Sequence, residues 1–214
     1  MQDCEFCAEL SERSQRFKKV YGALASNRIV ARTDRFVAIP TLGQLFAGSI
    51  LLLPIDHVET CANLAPDARK ELGELAEQMV AKVRQFGEPI QFEHGSTENR
   101  NGACGIYHAH LHIVPLPEMT LASTIFPEYS SSAADIQGAW ECLQDSQEYL
   151  LVAAAGQTVY RDLSDSPKMF PSQFFRRRIV EHFRLGAPWD WRQYTEIEPA
   201  LLRTLELGLP EHAQ

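Results

Sequence analysis

The chain has 214 residues, 45% of them hydrophobic and 22% charged, an ordinary balance for a soluble globular protein with one sizeable core or two small ones. Its net charge of −8 argues against general nucleic-acid binding, which needs a basic face to displace counterions from phosphates, although a local pocket on an acidic protein can still be positive. No run approaches the roughly 18 apolar residues of a membrane span, and Met1-Gln2-Asp3-Cys4 lacks the basic-then-apolar layout of a signal peptide. Five cysteines, an odd number, disfavour a secreted disulfide framework, so a cytoplasmic protein with reduced or metal-bound thiols is expected.

Residues 9–20 read as a short helix whose Arg13, Arg16, Lys18 and Lys19 form a solvated face. The alternating stretches 28–32 and 35–39 around Thr33-Asp34 predict a hairpin ending at Pro40. Ser49 to Leu53 is a nearly continuous apolar run of the kind found in buried central strands. From Pro66 to Phe86, Leu72, Leu75, Met79, Val83 and Phe86 recur at three- and four-residue steps, which predicts a long helix stopped by Gly87 and Pro89. Residues 90–93 and 106–114 supply two further strands, and the layout so far is α+β. Beyond Pro117 the character changes. Residues 127–134, rich in Ser and Ala, read as a loop, 149–154 and 158–160 flank Gly156-Gln157 as a hairpin, and 172–183 read as a helix after Pro171 that ends at Gly186.

The most distinctive stretch is Tyr107-His108-Ala109-His110-Leu111-His112-Ile113-Val114-Pro115, where three of the seven histidines stand two residues apart in an apolar, β-favouring run. A side-chain period of two places all three imidazoles of a strand on one face. Neutral imidazole is both a metal ligand and a proton carrier near pH 7. A surface patch of histidines on an amphipathic strand is the bland alternative. The pattern resembles the signature of the histidine triad superfamily of nucleotide hydrolases and nucleotidyltransferases. Three more landmarks follow in the family's order. Cys4-Glu5-Phe6-Cys7 resembles the Cys-x-x-Cys pair of its zinc-containing branches, and residues 51–58 are similar to the strand and histidine that precede its long helix. Phe92-Glu93-His94-Gly95, with Gly102-Ala103-Cys104-Gly105, is similar to the approach to the active strand in galactose-1-phosphate uridylyltransferases. The resemblance spans residues 4–117 and implies an antiparallel five-stranded sheet with one long crossing helix.

It also implies site roles. His110, the middle histidine, would attack the α-phosphorus of a nucleotide to give a covalent nucleotidyl-histidine, splitting one displacement into two easier ones. A backbone carbonyl of the same strand would fix its tautomer, and His112 would donate to a non-bridging phosphate oxygen. Cys4 and Cys7 can reach one tetrahedral zinc, which accepts imidazole as readily as thiolate. The resemblance supplies His57 and His108 as the other two ligands of a closed, structural site, with two free cysteines as the alternative and His94 as a competing ligand. His94 stands where the similar transferases carry Asn, and binding metal, holding substrate phosphate and filling a polar gap all remain open for it. Asn99, Asn101 and Gly105 are candidate substrate-binding residues, Gly105 together with Gly102 through close backbone approach, with a plain loop as the alternative. The base and ribose are expected against Phe36, Ile39 and Phe46. Asp162 and Glu93 are candidates to pair with a histidine.

Uridylyltransferases and several phosphorylases of the family carry Gln in place of the third histidine, whereas this chain keeps His112. The full triad belongs mostly to hydrolases of phosphoramidates, dinucleoside polyphosphates and related anhydrides. The expectation is therefore hydrolysis or nucleotidyl transfer at an α-phosphate of a nucleotide or nucleotide conjugate, with structural zinc as cofactor and a homodimer as the assembly. Two other readings stay open: a non-catalytic, zinc-stabilised nucleotide-binding or adaptor protein, and a metallohydrolase with zinc held by the histidine row. Alternate Cβ atoms about 7 Å apart speak against the latter. Residues 1–117 are read as the catalytic domain and 118–214 as an α/β extension packing on or near its site. There Ser172, Gln173, Arg176, Arg177 and Arg178 crowd a helix start. Gln173, Arg176 and Arg177 share a face that suits an anion; a solvated basic face on a helix that buries Phe174, Phe175 and Phe183 is the alternative.

Overall fold

The computed structural model describes residues 4–11, 28–98, 106–166, 170–194 and 199–208. Its centre is one antiparallel sheet of β1 (Ala31–Arg32), β2 (Phe36–Pro40), β3 (Ile50–Pro54), β4 (Glu88–Ser96), β5 (Leu111–Leu116), β6 (Ser131–Ala133), β7 (Glu148–Ala154) and β8 (Gln157–Asp162), in the order β1-β2-β3-β5-β4-β7-β8-β6. The expected hairpin is present: Thr33 accepts the Phe36 amide on its hydroxyl and donates its own amide to the Phe36 carbonyl, closing the turn. The long helix, α2 (Pro66–Val83), begins with proline at its first turn and runs into a 3-10 turn at Arg84–Phe86. Gly87 ends it at a φ of +157°, where a Cβ would meet the Leu116 carbonyl oxygen at 2.4 Å.

The sheet has eight strands rather than five. The hairpin of β7 and β8 joins the same sheet, with β7 laddered along β4 from Ile90↔Ala154 to Ser96↔Glu148. A bare β4 edge would leave a row of unpaired amides and carbonyls, and β7 satisfies them. Part of the expected 127–134 loop is β6, which pairs with β8. The strand expected over 106–114 starts only at Leu111 and continues to Leu116. Before it the chain is bonded elsewhere, the Ala109 amide donating to the Val58 carbonyl at 2.6 Å. Of the helix expected over 9–20, residues 12–20 lie outside the described residues; the helix seen is α1 (Glu5–Leu10).

Alternation along the strands separates two faces. Ile50 and Leu52 of β3, with Ala109, Leu111 and Ile113, pack with Leu72, Leu75 and Met79 of α2 and with Trp140 of α4 (Ile136–Cys142). The other face is covered in two pieces. Phe6 of α1 packs with Val37, Ile39, Leu51 and Leu53. Further along, α3 (Ala122–Ile125) and α5 (Phe174–His182) bring Ile125, Phe174, Phe175 and Ile179 against Phe92, Val114, Leu150 and Val152. A last helix, α6 (Pro199–Leu205), packs Leu205 at the rim of the α2-side core. Since Ala109, Leu111 and Ile113 sink into the α2 side, the three histidines between and beside them project to the other, where the two covering pieces leave a cleft. Among the described residues no helix is long and apolar enough to cross a membrane.

Candidate active site and metal centre

Cys4 caps α1, its Sγ accepting the Cys7 amide at 3.5 Å, so one helical turn turns both thiols the same way. Cys4 Sγ lies 3.4 Å from His108 Nδ1, and Cys7 Sγ lies 3.4 Å from His57 Nδ1 and 3.5 Å from His108 Nδ1. The four donor atoms all fall within 4.8 Å of one another. Tetrahedral zinc with sulfur at about 2.3 Å and nitrogen at about 2.05 Å has S···N edges of about 3.6 Å, so these spacings fit a shared ion. The tautomer fits as well. His108 Nε2 faces the Pro54 carbonyl at 2.9 Å, and since a carbonyl only accepts, the hydrogen sits on Nε2 and the Nδ1 lone pair is turned to the thiols. Burial pushes the His108 imidazole down to about 4, which keeps it in the neutral, ligating form. These four residues can hold a metal ion; His94 is not among them.

Two residues on, His110 Nδ1 lies 2.6 Å from the His108 carbonyl oxygen. By the same logic its hydrogen is on Nδ1, and Nε2 carries the lone pair. Phe6 meets both rings edge-on, at 5.6 Å from His108 and 5.5 Å from His110. His112, the one triad member inside the β5 ladder, stacks on Phe92 at 4.5 Å and 16° and meets His110 edge-on at 5.3 Å. Burial lowers the proton affinity of both rings. For His112, which is pushed well below the ordinary histidine range, the charges of His110 and Arg176 act in the same direction. Both are neutral imidazoles near pH 7.

The cleft is open to solvent, and the empty space in and over it amounts to about 980 Å³. Phe6 and Glu9 of α1 form one wall, His110, His112, Phe92 and His94 the floor, and Gln173, Arg176 and Trp191 the other wall. Gln173 precedes α5 in the left-handed region, φ +59°, and its side chain is tied to Asp190 Oδ1 (2.9 Å) and to the Trp191 amide (3.2 Å). Arg176 is buried and donates to the Trp189 and Gly43 carbonyls, both at 2.7 Å. Arg177 is not on the cleft; its guanidinium lies 3.4 Å over the Trp189 ring and donates to the Ser172 carbonyl.

His94 is on the floor, and its Nε2 meets Glu148 Oε1 at 3.0 Å with both side chains buried. Gly95 follows it because Tyr149 crosses there; a Cβ would meet the Tyr149 ring at 2.4 Å. Asn99, Asn101, Gly102, Cys104 and Gly105 lie outside the described residues, and with them half of the segment similar to the uridylyltransferases. Phe36 and Ile39 are core residues and Phe46 packs edge-on against Phe183, so none of the three lines the cleft. Glu93 accepts from the Cys61 amide and the Trp140 indole, and Asp162 from Ser164; among the described residues neither is bonded to a histidine.

Sequence reasoning missed Glu148, and also Arg28, which is buried on the cleft wall with two bonds to Glu9 and one to the Pro40 carbonyl. The signal for Glu148 was a lone carboxylate heading a strand that is otherwise apolar throughout. His94 Nδ1 and His112 Nδ1 are both enclosed with no hydrogen-bond partner. Each such orphan costs about 1–3 kcal/mol, an arrangement found where a bound molecule completes the bonding.

Residues 24–119 match the family model described as the HIT domain. Those residues carry a HIT domain. His57, His94, His108, His110 and His112 lie inside the HIT domain, whereas Cys4, Cys7, Glu148, Gln173 and Arg176 lie outside it. Two plant proteins are similar over most of the chain. "Zinc finger CCCH domain-containing protein 59" of Oryza sativa subsp. japonica is 24% identical over 185 residues, 78% of this chain and 29% of that protein. "Zinc finger CCCH domain-containing protein 64" of Arabidopsis thaliana is 24% identical over 205 residues, 85% and 33% respectively. The chain thus spans about a third of the length of these curated relatives. Similar solved structures include a hypothetical histidine triad nucleotide-binding protein from Sulfolobus tokodaii, at 19% identity and a TM-score of 0.41 over 52% of this chain and 68% of that one. A Zn-bound histidine triad family protein from Mycobacterium smegmatis matches at 16% and 0.41, over 53% of this chain and 75% of that one.

Proposed function

We propose that this HIT-domain protein is a nucleotide hydrolase or nucleotidyltransferase that works at an α-phosphate through a nucleotidyl-His110 intermediate. The observation that carries the reading is the 2.6 Å contact of His110 Nδ1 with the His108 carbonyl, which leaves Nε2 with its lone pair on a ring that lines the cleft. In the first step Nε2 attacks the α-phosphorus, and the bond to the leaving group breaks with its electron pair on that group. His112 donates to a non-bridging oxygen as charge rearranges, and the Arg176 cation on the facing wall complements the phosphate. In the second step water or another acceptor takes the nucleotidyl group and the electron pair returns to Nε2.

Cys4, Cys7, His57 and His108 hold zinc in this reading, and the ion supplies a closed structural cross-link. A metallohydrolase built on the histidine row is disfavoured by the ring directions: His108 Nδ1 is turned to the thiols while His110 Nδ1 is engaged by a backbone carbonyl. Residues 118–214 act as the part that closes the cleft and sets the acceptor.

The test is His110→Ala, assayed on a panel of nucleoside polyphosphates, phosphoramidates and nucleotide sugars. Turnover is expected to vanish while nucleotide binding persists, and an alkaline quench of the wild type with an α-labelled nucleoside phosphoimidazolide should trap the adduct on His110. Normal turnover by the alanine variant refutes the covalent route.

A further inference from the structure

The covalent route leaves one proton without a destination. Water attacking nucleotidyl-His110 must lose a proton, yet His110 is then engaged at both nitrogens, Nε2 by phosphorus and Nδ1 by the His108 carbonyl, and His112 is acting as a donor. A further histidine lines the same cleft. Phe92 and His94 stand two residues apart on β4 and share a face, and Phe92 is paired with His112 across the ladder. Two residues beyond that pair, on β4 and on the segment that leads into β5, come His94 and His110. The charge of His94 reaches His110 and lowers its proton affinity, as expected of neighbouring rings.

Glu148 decides which nitrogen of His94 is basic. It opens β7 opposite Ser96 and meets His94 Nε2 at 3.0 Å, both side chains being more than nine-tenths buried. A carboxylate only accepts, so the hydrogen of the neutral ring is on Nε2 and its lone pair on Nδ1, the atom that has no partner. A base next to the reacting centre, itself oriented by a carboxylate, is the arrangement by which proteins prepare an imidazole to take a proton.

We propose that His94, oriented by Glu148, is the general base of the second step. The water oxygen bonds to phosphorus, the bond from phosphorus to His110 Nε2 breaks with its electron pair returning to that nitrogen, and the water proton passes to His94 Nδ1. The imidazolium so formed is paired with the Glu148 carboxylate, and it releases its proton to solvent as the nucleoside monophosphate leaves. An alcohol in place of water would be deprotonated the same way, so the acceptor class is water or a small hydroxyl compound. Glu148 comes from outside the HIT domain, so this part of the catalytic apparatus is supplied by the C-terminal extension.

The inference rests on the covalent route, and the experiment separates the two. Full-length wild type, His94→Gln and Glu148→Gln are mixed with an α-labelled adenosine 5′-phosphoimidazolide, quenched over time, and followed for adduct formation and adduct decay. In His94→Gln the adduct should form at close to the wild-type rate and decay about 10²–10⁴-fold more slowly, the usual worth of a general base. Glu148→Gln should slow decay in the same direction by less, and azide, a nucleophile with no proton to lose, should restore decay in His94→Gln. Wild-type decay in either variant overturns the inference, as does equal slowing of formation and decay in both. Absence of any adduct in the wild type refutes the covalent route itself. Should His94→Gln fail to fold, Glu148→Gln carries the test by the same criteria.

Discussion

Removing the metal should undock α1 while the sheet stays folded. The arm from Cys4 to Ser11 is eight residues long, and fixing a backbone costs about 1–2 kcal/mol per residue, so docking it costs roughly 8–16 kcal/mol. Burial of Phe6 returns about 1.5–3 kcal/mol. The Glu9–Arg28 pair, a charged hydrogen bond with Arg28 buried, adds about 1.5–3 kcal/mol. A six-residue helix contributes little alone, because helices this short are marginal in water. The arm is therefore short by several kcal/mol, which a closed zinc site, at about 10 kcal/mol or more in small peptides, would supply. Hydrogen exchange is the assay, read together with elemental analysis. Chelation, or Cys4→Ser, should abolish protection in residues 4–11 and leave β3, β4 and β5 protected. The cleft should loosen at the same time, since Phe6 is the ring set against His110. Persistent protection of residues 4–11 in metal-free protein, or full metal content in Cys4→Ser, would refute the argument.

Two further expectations concern the extension and the core. Arg176→Ala should raise KM for the phosphorylated substrate about 10–100-fold, the worth of one charged hydrogen bond, while Arg177→Ala, off the cleft, should shift it by about twofold or less. Equal KM for the two folded variants would show that Arg176 does not meet phosphate. Glu93 offers a pH test, because burial raises its carboxyl above the ordinary glutamate value of 4.5 against the hydrogen bonds from Cys61, Tyr149 and Trp140. With the folded value above the unfolded one, the folded chain keeps its proton longer. This contribution to stability is full below pH 4.5 and is lost as pH rises through the folded value. The stability of wild type relative to Glu93→Gln should thus fall as pH rises from 4.5, read from urea midpoints, and a pH-independent difference would contradict it.

Local pattern was enough for the histidine row, the Cys-x-x-Cys pair, α2 and the β1–β2 and β7–β8 hairpins. Each of these is encoded by neighbours within a few residues: a period of two puts His108, His110 and His112 on one face, and a three-to-four step puts Leu72, Leu75 and Met79 on another. The clustering of Cys4, Cys7, His57 and His108 and the bond from His110 to a carbonyl of its own segment were implied only by the resemblance, since no local rule brings residues 4, 57 and 108 together. What tertiary structure alone decided has long sequence separations. Whether the second hairpin forms its own sheet or extends the first depends on the free edge of β4, which period cannot reveal, and the pairing of β7 there carried Glu148 to His94. Arg176 rather than Arg177 faces the cleft because Phe174, Phe175 and Ile179 bury one side of α5 and so set its rotation. Both outcomes follow from which apolar surface and which unpaired backbone edge a segment meets after collapse, and those partners lie some fifty or more residues away along the chain.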